Sequence, residues 1–172
     1  MIKIFNLITF FTIILFFSSL FAKDIPIIVI APSKKPQSIS TVGSSVVVLD
    51  ENFFKKTNDY FLGDVLSNNS TSINFFQSGG YGTASAIQLR GLPKRYSTVY
   101  IDGVKMSDPS SVSGDYDFNH LLTSQVSRVE ILKGSQSSVY GSGAIGGTIN
   151  ITTKQKNKNQ KGDFFYNTGS HD

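Results

Sequence analysis

Hydrophobic and polar positions divide the chain into stretches of different texture. From Ile4 to Ala22 there is no charge, and only Asn6, Thr9 and Thr12 interrupt the apolar run to Phe17. Met1-Ile2-Lys3 is a short basic start before it, and Ser18, Ser19 and Ala22 supply small residues before Lys23-Asp24. Basic, apolar, small is the order of a secretory signal peptide, so residues 1–22 are assigned as one, although Leu20 stands where a small residue is preferred. About 20 apolar residues would also suffice for a membrane anchor. On either reading the rest of the chain is exported.

Ile25-Pro26-Ile27-Ile28-Val29-Ile30-Ala31 is β-prone, and Pro32 and Pro36 follow it. Prolines on both sides keep such a run out of the middle of a sheet. It reads either as an extended strand in search of a partner or as an ordinary first strand of the domain. Ser45 to Leu49 is a β-branched run, after which Asp50 can cap a short helix through Lys56. A second helix is predicted around Tyr60 to Leu66 with Asp59 as its cap, placing Leu62, Val65 and Leu66 on one face.

From Gly79 to Gly147 the chain holds 11 of its 15 glycines and reads as short strands. Strands are expected at Ala86 to Arg90, Thr98 to Asp102, Val104 to Met106, Val126 to Leu132 and Thr148 to Thr153. Asp102-Gly103 suits a two-residue hairpin turn. A short helix is expected at Asn119 to Ser124, and a helical turn capped by Ser135 at its start runs to Tyr140. Residues 107–117 form a long polar loop. Lys154 to Lys161 is a basic linker, and Gly162 to Thr168 is again β-prone.

Composition narrows the chemistry. The net charge of +4 comes with no basic stripe interleaved with aromatics, so nucleic acid is not expected as a partner. There is no Cys, which removes disulfides, thiolate nucleophiles and thiolate metal sites and fits a bacterial envelope protein. His120 and His171 are too far apart in sequence to suggest a shared metal centre. Gly141-Ser142-Gly143-Ala144-Ile145-Gly146 spells G-x-G-x-x-G, but Gly147-Thr148-Ile149-Asn150-Ile151 after it is a strand signal. A dinucleotide site requires a helix there, so a tight glycine turn is expected instead. No hydrolase elbow occurs. Asp115 and Asp117 are spaced to share calcium, but the full calcium loop is absent and a solvated loop outweighs that reading.

Four segments, in this order, resemble the plug domain of TonB-dependent outer-membrane receptors. They are Ile87-Gln88-Leu89-Arg90-Gly91, Val99-Tyr100-Ile101-Asp102-Gly103-Val104, Val126 to Gly134, and Ser138 to Ile151. The resemblance spans roughly residues 25–155. Ile101 to Val104, Val112-Ser113-Gly114 and Gly143 to Gly147 look most like the cobalamin receptor branch.

The resemblance implies an α+β plug with a small mixed sheet of about four strands, short helices and long loops. It implies a TonB-binding box at Ile27, Ile28, Val29, Ile30 and Ala31, expected to lack stable contacts with the domain. Arg90 matches the first of two basic plug residues that face acidic residues on the barrel wall. Lys133 matches the second, although Lys133-Gly134-Ser135 replaces the usual Arg-Gly-Pro and loses the bidentate fork. The loops that meet ligand in the family correspond to Gln77 to Thr83, with Gln77, Ser78, Gly79 and Tyr81, and to Ser107 to Asp117, with Asp108, Ser110, Ser111, Ser113, Asp115 and Asp117.

The expected organisation is a signal peptide at 1–22, a TonB-box segment and linker at 23–40, a plug at 41–155, and a linker with the start of a first barrel strand at 156–172. The barrel of the family has about 22 strands of about 9–11 residues each, far more than follows Lys161 here. A fragment of a longer receptor is therefore expected ahead of a stand-alone plug. The expected role is gating energised uptake of a scarce nutrient, cobalamin, a siderophore or similar, at the bacterial outer membrane. TonB, the barrel and the nutrient are the expected partners, and no catalysis and no cofactor are expected. The alternative is a soluble periplasmic binding or interaction module.

Overall fold

The computed structural model of the chain describes residues 27–31 and 33–155. The expected signal peptide, Ile25, Pro26, Pro32 and the expected barrel-proximal stretch from residue 156 lie outside the described residues. In chain order the strands are β1 (Ile28–Val29), β2 (Gln37–Ser38), β3 (Ser45–Leu49), β4 (Ile73–Gln77), β5 (Ser85–Leu89), β6 (Ser97–Ile101), β7 (Val104–Met106), β8 (Val126–Lys133) and β9 (Gly147–Thr153). The helices are α1 (Glu51–Lys56), α2 (Leu62–Asn68) and α3 (Ser137–Tyr140).

Five strands form a mixed sheet in the order β3-β8-β9-β6-β7, with β6 and β9 parallel and the other neighbours antiparallel. β1–β2 and β4–β5 are separate two-stranded hairpins. The strand period of two sorts the sheet residues onto two faces. Val129 and Ile131 of β8, Ile149 and Ile151 of β9 and Val99 of β6 point one way and are buried with Phe54 of α1, Leu62, Val65 and Leu66 of α2, and Ile73, Ile87 and Leu89 of the β4–β5 hairpin. At about 1.5–3 kcal/mol for each fully buried aliphatic side chain, this layer holds the fold together. Arg128, Glu130 and Leu132 alternate with those β8 residues and so belong to the other face.

Local chemistry accounts for the elements. Asp50 caps α1 by accepting from the Phe53 amide at 2.9 Å, as expected from sequence. Asp102 and Gly103 have φ of 48° and 82°, the two positive values of a type I′ hairpin turn. The G-x-G-x-x-G run contains a short 3₁₀ turn at Ser142–Ala144, and β9 starts at Gly147, so a strand and no helix follows it. Gly146 donates to the Tyr96 carbonyl at 2.9 Å and accepts from the Gly134 amide at 3.1 Å, which draws three segments together.

The fold departs from the sequence reading in several places. The expected Ser135 cap is absent: Gln136 stands at the N-cap of α3, and no side chain caps that helix. β4 was not foreseen, because Ile73-Asn74-Phe75-Phe76-Gln77 lacks clean alternation. α2 starts at Leu62 and Asp59 does not cap it, since Phe61 bridges Leu122 and stays extended while the Asp59 carbonyl accepts from Thr123 Oγ1 at 2.8 Å. That same bridge splits the expected helix at Asn119 to Ser124 into two 3₁₀ turns, Phe118–His120 and Thr123–Gln125.

Candidate functional site: the docked N-terminal strand, the basic end and the loops

The segment Ile27–Ala31 does not stand free of the domain. Val29 is fully buried and Ala31 nearly so, whereas Ile27, Ile28 and Ile30 are each about half exposed. One backbone edge pairs with β2 through Ile28 opposite Ser38 and Val29 opposite Gln37, and the Ile27 carbonyl accepts from the Ile39 amide at 2.9 Å. The other edge is held by side chains. Glu130 Oε2 accepts from the amides of Ile30 at 2.9 Å and Ala31 at 2.7 Å. Arg128 Nη2 donates to the Ile28 carbonyl at 2.5 Å, and its Nε donates to Glu130 Oε1 at 2.9 Å. The Tyr140 hydroxyl donates to the Ala31 carbonyl. Burial, with the Tyr100 hydroxyl and Glu130 nearby, raises the Tyr140 hydroxyl above its ordinary pKa and keeps it a donor. The expectation of a strand without stable contacts is thus corrected for its described part. The polar positions on the second face of β8 supply partners that hydrophobic pattern alone does not register.

Arg128, Glu130 and Tyr140 were not singled out from sequence. A signal existed: Arg128 and Glu130 are charges at i and i+2 between apolar residues of β8, so both must lie on one face, and that face needs a polar cover. Beside them a cleft of about 450 Å³ is lined by Lys34, Tyr100, Asp102, Tyr140 and Asn150. The Tyr100 and Tyr140 rings meet at a 58° tilt with centroids 4.9 Å apart, and Lys34 Nζ lies 4.9 Å from the Tyr140 ring centroid.

Arg90 and Lys133 are brought to one place. Arg90 has φ of 55°, and its guanidinium lies over Gly134, the residue after Lys133, at 3.2 Å from where a Cβ would stand. Arg90 is exposed and Lys133 half-buried, and neither forms an ion pair among the described residues. Sheet register puts Lys133, Gly147 and Ser97 at one end of the sheet, and Val126, Thr153 and Ile101 at the other.

The two expected ligand loops are tied side by side. Asp117 Oδ1 accepts from Ser85 Oγ at 2.7 Å, the Ser85 amide at 3.3 Å and the Asn119 amide at 3.1 Å. Gln77 Nε2 donates to the Gly80 carbonyl at 2.9 Å and reaches Asn119 Oδ1 at 3.5 Å. Ser78, Gly79 and Tyr81 are exposed, and the Tyr81 ring stacks on Phe61 at 4.9 Å and 18°. Asp108 folds its own loop by accepting from the amide and hydroxyl of Ser110 at 2.8 and 2.6 Å. Asp115 accepts from Ser111 Oγ at 2.6 Å and pairs with Lys94 at 2.5 Å, while the Ser113 amide donates to Ser111 Oγ at 3.3 Å.

These contacts set the charge state of the loop. Burial pushes the Asp115 and Asp117 carboxyls up. Lys94 and Ser111 for the first, and Ser85 and Asn119 for the second, outweigh it and leave both below the ordinary carboxylate range. The oxygens named above are committed to protein donors, and no three acidic or histidine side chains gather among the described residues. The calcium reading gains nothing from this geometry.

Residues 38–148 match the family described as the TonB-dependent receptor plug domain, and the chain belongs to that family. Among curated proteins it is 29% identical over 133 residues to a vitamin B12 transporter, BtuB, of Vibrio cholerae serotype O1, covering 77% of this chain and 21% of the relative. It is 32% identical over 126 residues to BtuB of Vibrio vulnificus, covering 73% and 20%. The chain thus spans about a fifth of the length of these relatives. Among solved structures, the siderophore receptor PiuA from Acinetobacter baumannii matches at a TM-score of 0.53 and 26% identity, over 71% of this chain and 16% of that one. The alcaligin outer-membrane receptor FauA from Bordetella pertussis shares the fold at a TM-score of 0.58 and 19% identity, over 74% and 21%. The expected plug fold and the likeness to the cobalamin branch are borne out. The sheet has five strands where about four were expected.

Proposed function

We propose that this chain is the plug of an outer-membrane receptor that gates TonB-energised uptake of cobalamin, a siderophore or a similar scarce nutrient, and that it performs no catalysis. The chain reaches its place by export behind a signal peptide at residues 1–22. It sits inside a barrel formed by the same full-length protein, with residues 41–155 as the plug and 156–172 leading toward the barrel. Residues Ile27 to Ala31 are the segment that TonB engages as an added strand. Arg90 and Lys133 dock the plug to carboxylates on the barrel wall, and the paired loops at Gln77–Thr83 and Ser107–Asp117 meet the nutrient.

The observation that carries the proposal is the apolar strand at Ile28–Val29. It lies outside the five-stranded sheet and turns Ile27, Ile28 and Ile30 outward. Three half-exposed isoleucines in one short segment form an apolar patch that a partner can cover. In the intact receptor, Ile28→Pro or Val29→Pro should abolish energised uptake and leave nutrient binding unchanged, because proline removes a backbone donor and fixes φ within this segment, outside the loops proposed to meet the nutrient. Uptake at the wild-type rate by both variants would overturn the assignment.

A further inference from the structure

We propose that Lys94 and one buried water fix the position of the loop Ser107–Asp117, the Lys94 ammonium through its ion pair with Asp115 and the water through the Ser97 hydroxyl beside that pair. The inference rests on the reading of this loop as one that meets the nutrient. It gives Lys94 and Ser97, both outside the loop, the role of positioning residues.

One end of the loop is anchored directly. Tyr116 packs against the core, and Asp117 is bonded to Ser85. The tip is in solvent, with Val112 fully exposed. A relay of polar contacts reaches it. Lys94 Nζ pairs with Asp115 Oδ2 at 2.5 Å. Asp115 Oδ1 accepts from Ser111 Oγ at 2.6 Å, and that hydroxyl oxygen accepts from the Ser113 amide at 3.3 Å. One ammonium outside the loop therefore bears on Ser111 and Ser113, the two residues that flank Val112.

The base of the relay is stiff. Lys94 opens the 3₁₀ turn Lys94–Tyr96, which runs directly into β6. The Tyr96 amide donates to the Pro93 carbonyl at 2.9 Å, and the Tyr96 carbonyl accepts from the Gly146 amide at 2.9 Å. The Asp115 side chain is 9% exposed against 45% for Lys94. The carboxylate is thus desolvated and depends on its donors. Among the described residues, the Lys55–Glu51 pair stays within one helix and Arg128–Glu130 within one strand, whereas Lys94–Asp115 joins two separate parts of the fold.

Beside the pair lies a hollow of about 10 Å³, lined by Lys94, Ser97 and Asp115 together with apolar side chains that include Val99 and Phe118. That is room for one water and nothing larger. The Ser97 hydroxyl is buried and has no hydrogen-bond partner within the protein, a state that folded proteins rarely leave unmet. A water in the hollow satisfies it. The Ser97 hydroxyl, with the Asp115 carboxylate or the Lys94 ammonium, supplies the two or more polar partners that such a water requires. The ion pair and the water thus brace the same point of the loop against the start of β6.

The test uses the intact receptor in lipid nanodiscs with a nitroxide at Val112→Cys. Residues 1–172 hold no Cys, and any elsewhere in the receptor is replaced before labelling. Without nutrient, Lys94→Met should raise the ratio of mobile to immobile label about threefold to tenfold, and Lys94→Arg should restore the wild-type spectrum. Ser97→Ala should raise the ratio about threefold. Hydrogen exchange at Ile131 and Ile149 should match the wild type in all three, which separates a freed loop from a loosened core. A wild-type spectrum in Lys94→Met, or a mobilised one in Lys94→Arg, overturns the role of Lys94. A wild-type spectrum in Ser97→Ala, or a crystal structure of the receptor with no water on Ser97 Oγ, overturns the water site. Cyanocobalamin added to the wild type judges the underlying reading separately. If it leaves the label unchanged while Lys94→Met mobilises it, cobalamin is removed as what this loop meets and the brace stands. If it immobilises the label, Lys94→Met should weaken its binding about threefold to tenfold, and equal affinity would overturn the positioning role.

Discussion

Replacing Gly147 with Ala probes the point where the sheet and the glycine-rich turn meet. Gly147 opens β9 and pairs with Lys133 on one side and Ser97 on the other. Its φ of 143° lies in a region that side-chain-bearing residues rarely occupy, and a Cβ would drive into the Leu132 carbonyl oxygen and stand 2.9 Å from Leu89 Cδ1. Backbone strain of this kind costs about 1–3 kcal/mol. Overpacking against a fixed backbone adds about 1–3 kcal/mol. The sum is about 2–6 kcal/mol, with ~4 kcal/mol as the central value, and it falls on β8–β9 pairing. Two glycines separate the terms. Gly141, with φ of 85° and nothing within 4 Å of its would-be Cβ, carries only strain, about 1–2 kcal/mol. Gly146, with its would-be Cβ 3.1 Å from the Tyr96 carbonyl oxygen, carries only crowding, about 1 kcal/mol. Amide hydrogen exchange at Ile131 and Ile149 in the intact receptor reads the result. At about 1.4 kcal/mol per decade, Gly147→Ala should speed exchange about a thousandfold, Gly141→Ala about five- to thirtyfold and Gly146→Ala about fivefold. Exchange within threefold of the wild type in Gly147→Ala, or a larger effect from Gly141→Ala, would refute this account of the turn.

Acid should loosen the paired loops. Asp115 and Asp117 are held below the ordinary carboxylate range in the folded state, so their contribution is present above the unfolded pKa of about 3.9 and is lost as pH falls through the folded values. Asp117→Asn should shrink the loss of Ser85 and Asn119 amide protection between neutral pH and about pH 3; an unchanged profile would show that Asp117 does not carry it. Asp102 accepts from the Thr153 amide at 2.9 Å and the Thr153 hydroxyl at 2.6 Å, so Asp102→Gly should keep the hairpin turn yet speed Thr153 exchange about tenfold; no change would make the contact dispensable. Arg90→Ala should raise leakage of small solutes through the intact receptor and its plug's protease sensitivity, whereas wild-type values would reduce Arg90 to a local role at Gly134.

Much of the fold was legible because it is local. The Asp50 cap, the Asp102-Gly103 turn and the strands at Ser45, Val126 and Gly147 follow from residue type and short spacing. What escaped is set by distant partners. β4 exists because Ile73–Gln77 finds Ser85–Leu89, and its own pattern does not announce it. Phe61 overrides the expected Asp59 cap because Leu122 holds it extended. The candidate site divides the same way. Arg90, Lys133 and the two loops could be named through the family resemblance, and the structure sets Arg90 against Gly134 and ties the loops through Asp117. The grip on Ile28–Ala31 could not be named, since it links residues about a hundred positions apart.

The central claim is that the apolar strand at Ile27–Ala31 is where force enters the molecule, and disulfide trapping in living cells tests it most directly. Residues 1–172 hold no native Cys, and any in the rest of the receptor would first be replaced. Single cysteines at Ile27, Ile28, Val29, Ile30 and Ala31 of the intact receptor would be paired with cysteines along the edge strand of the periplasmic domain of TonB. The account predicts cross-links at alternate positions of this segment, as an added strand requires. Cross-links that avoid this segment and fall elsewhere on the plug, with or without nutrient, would contradict it.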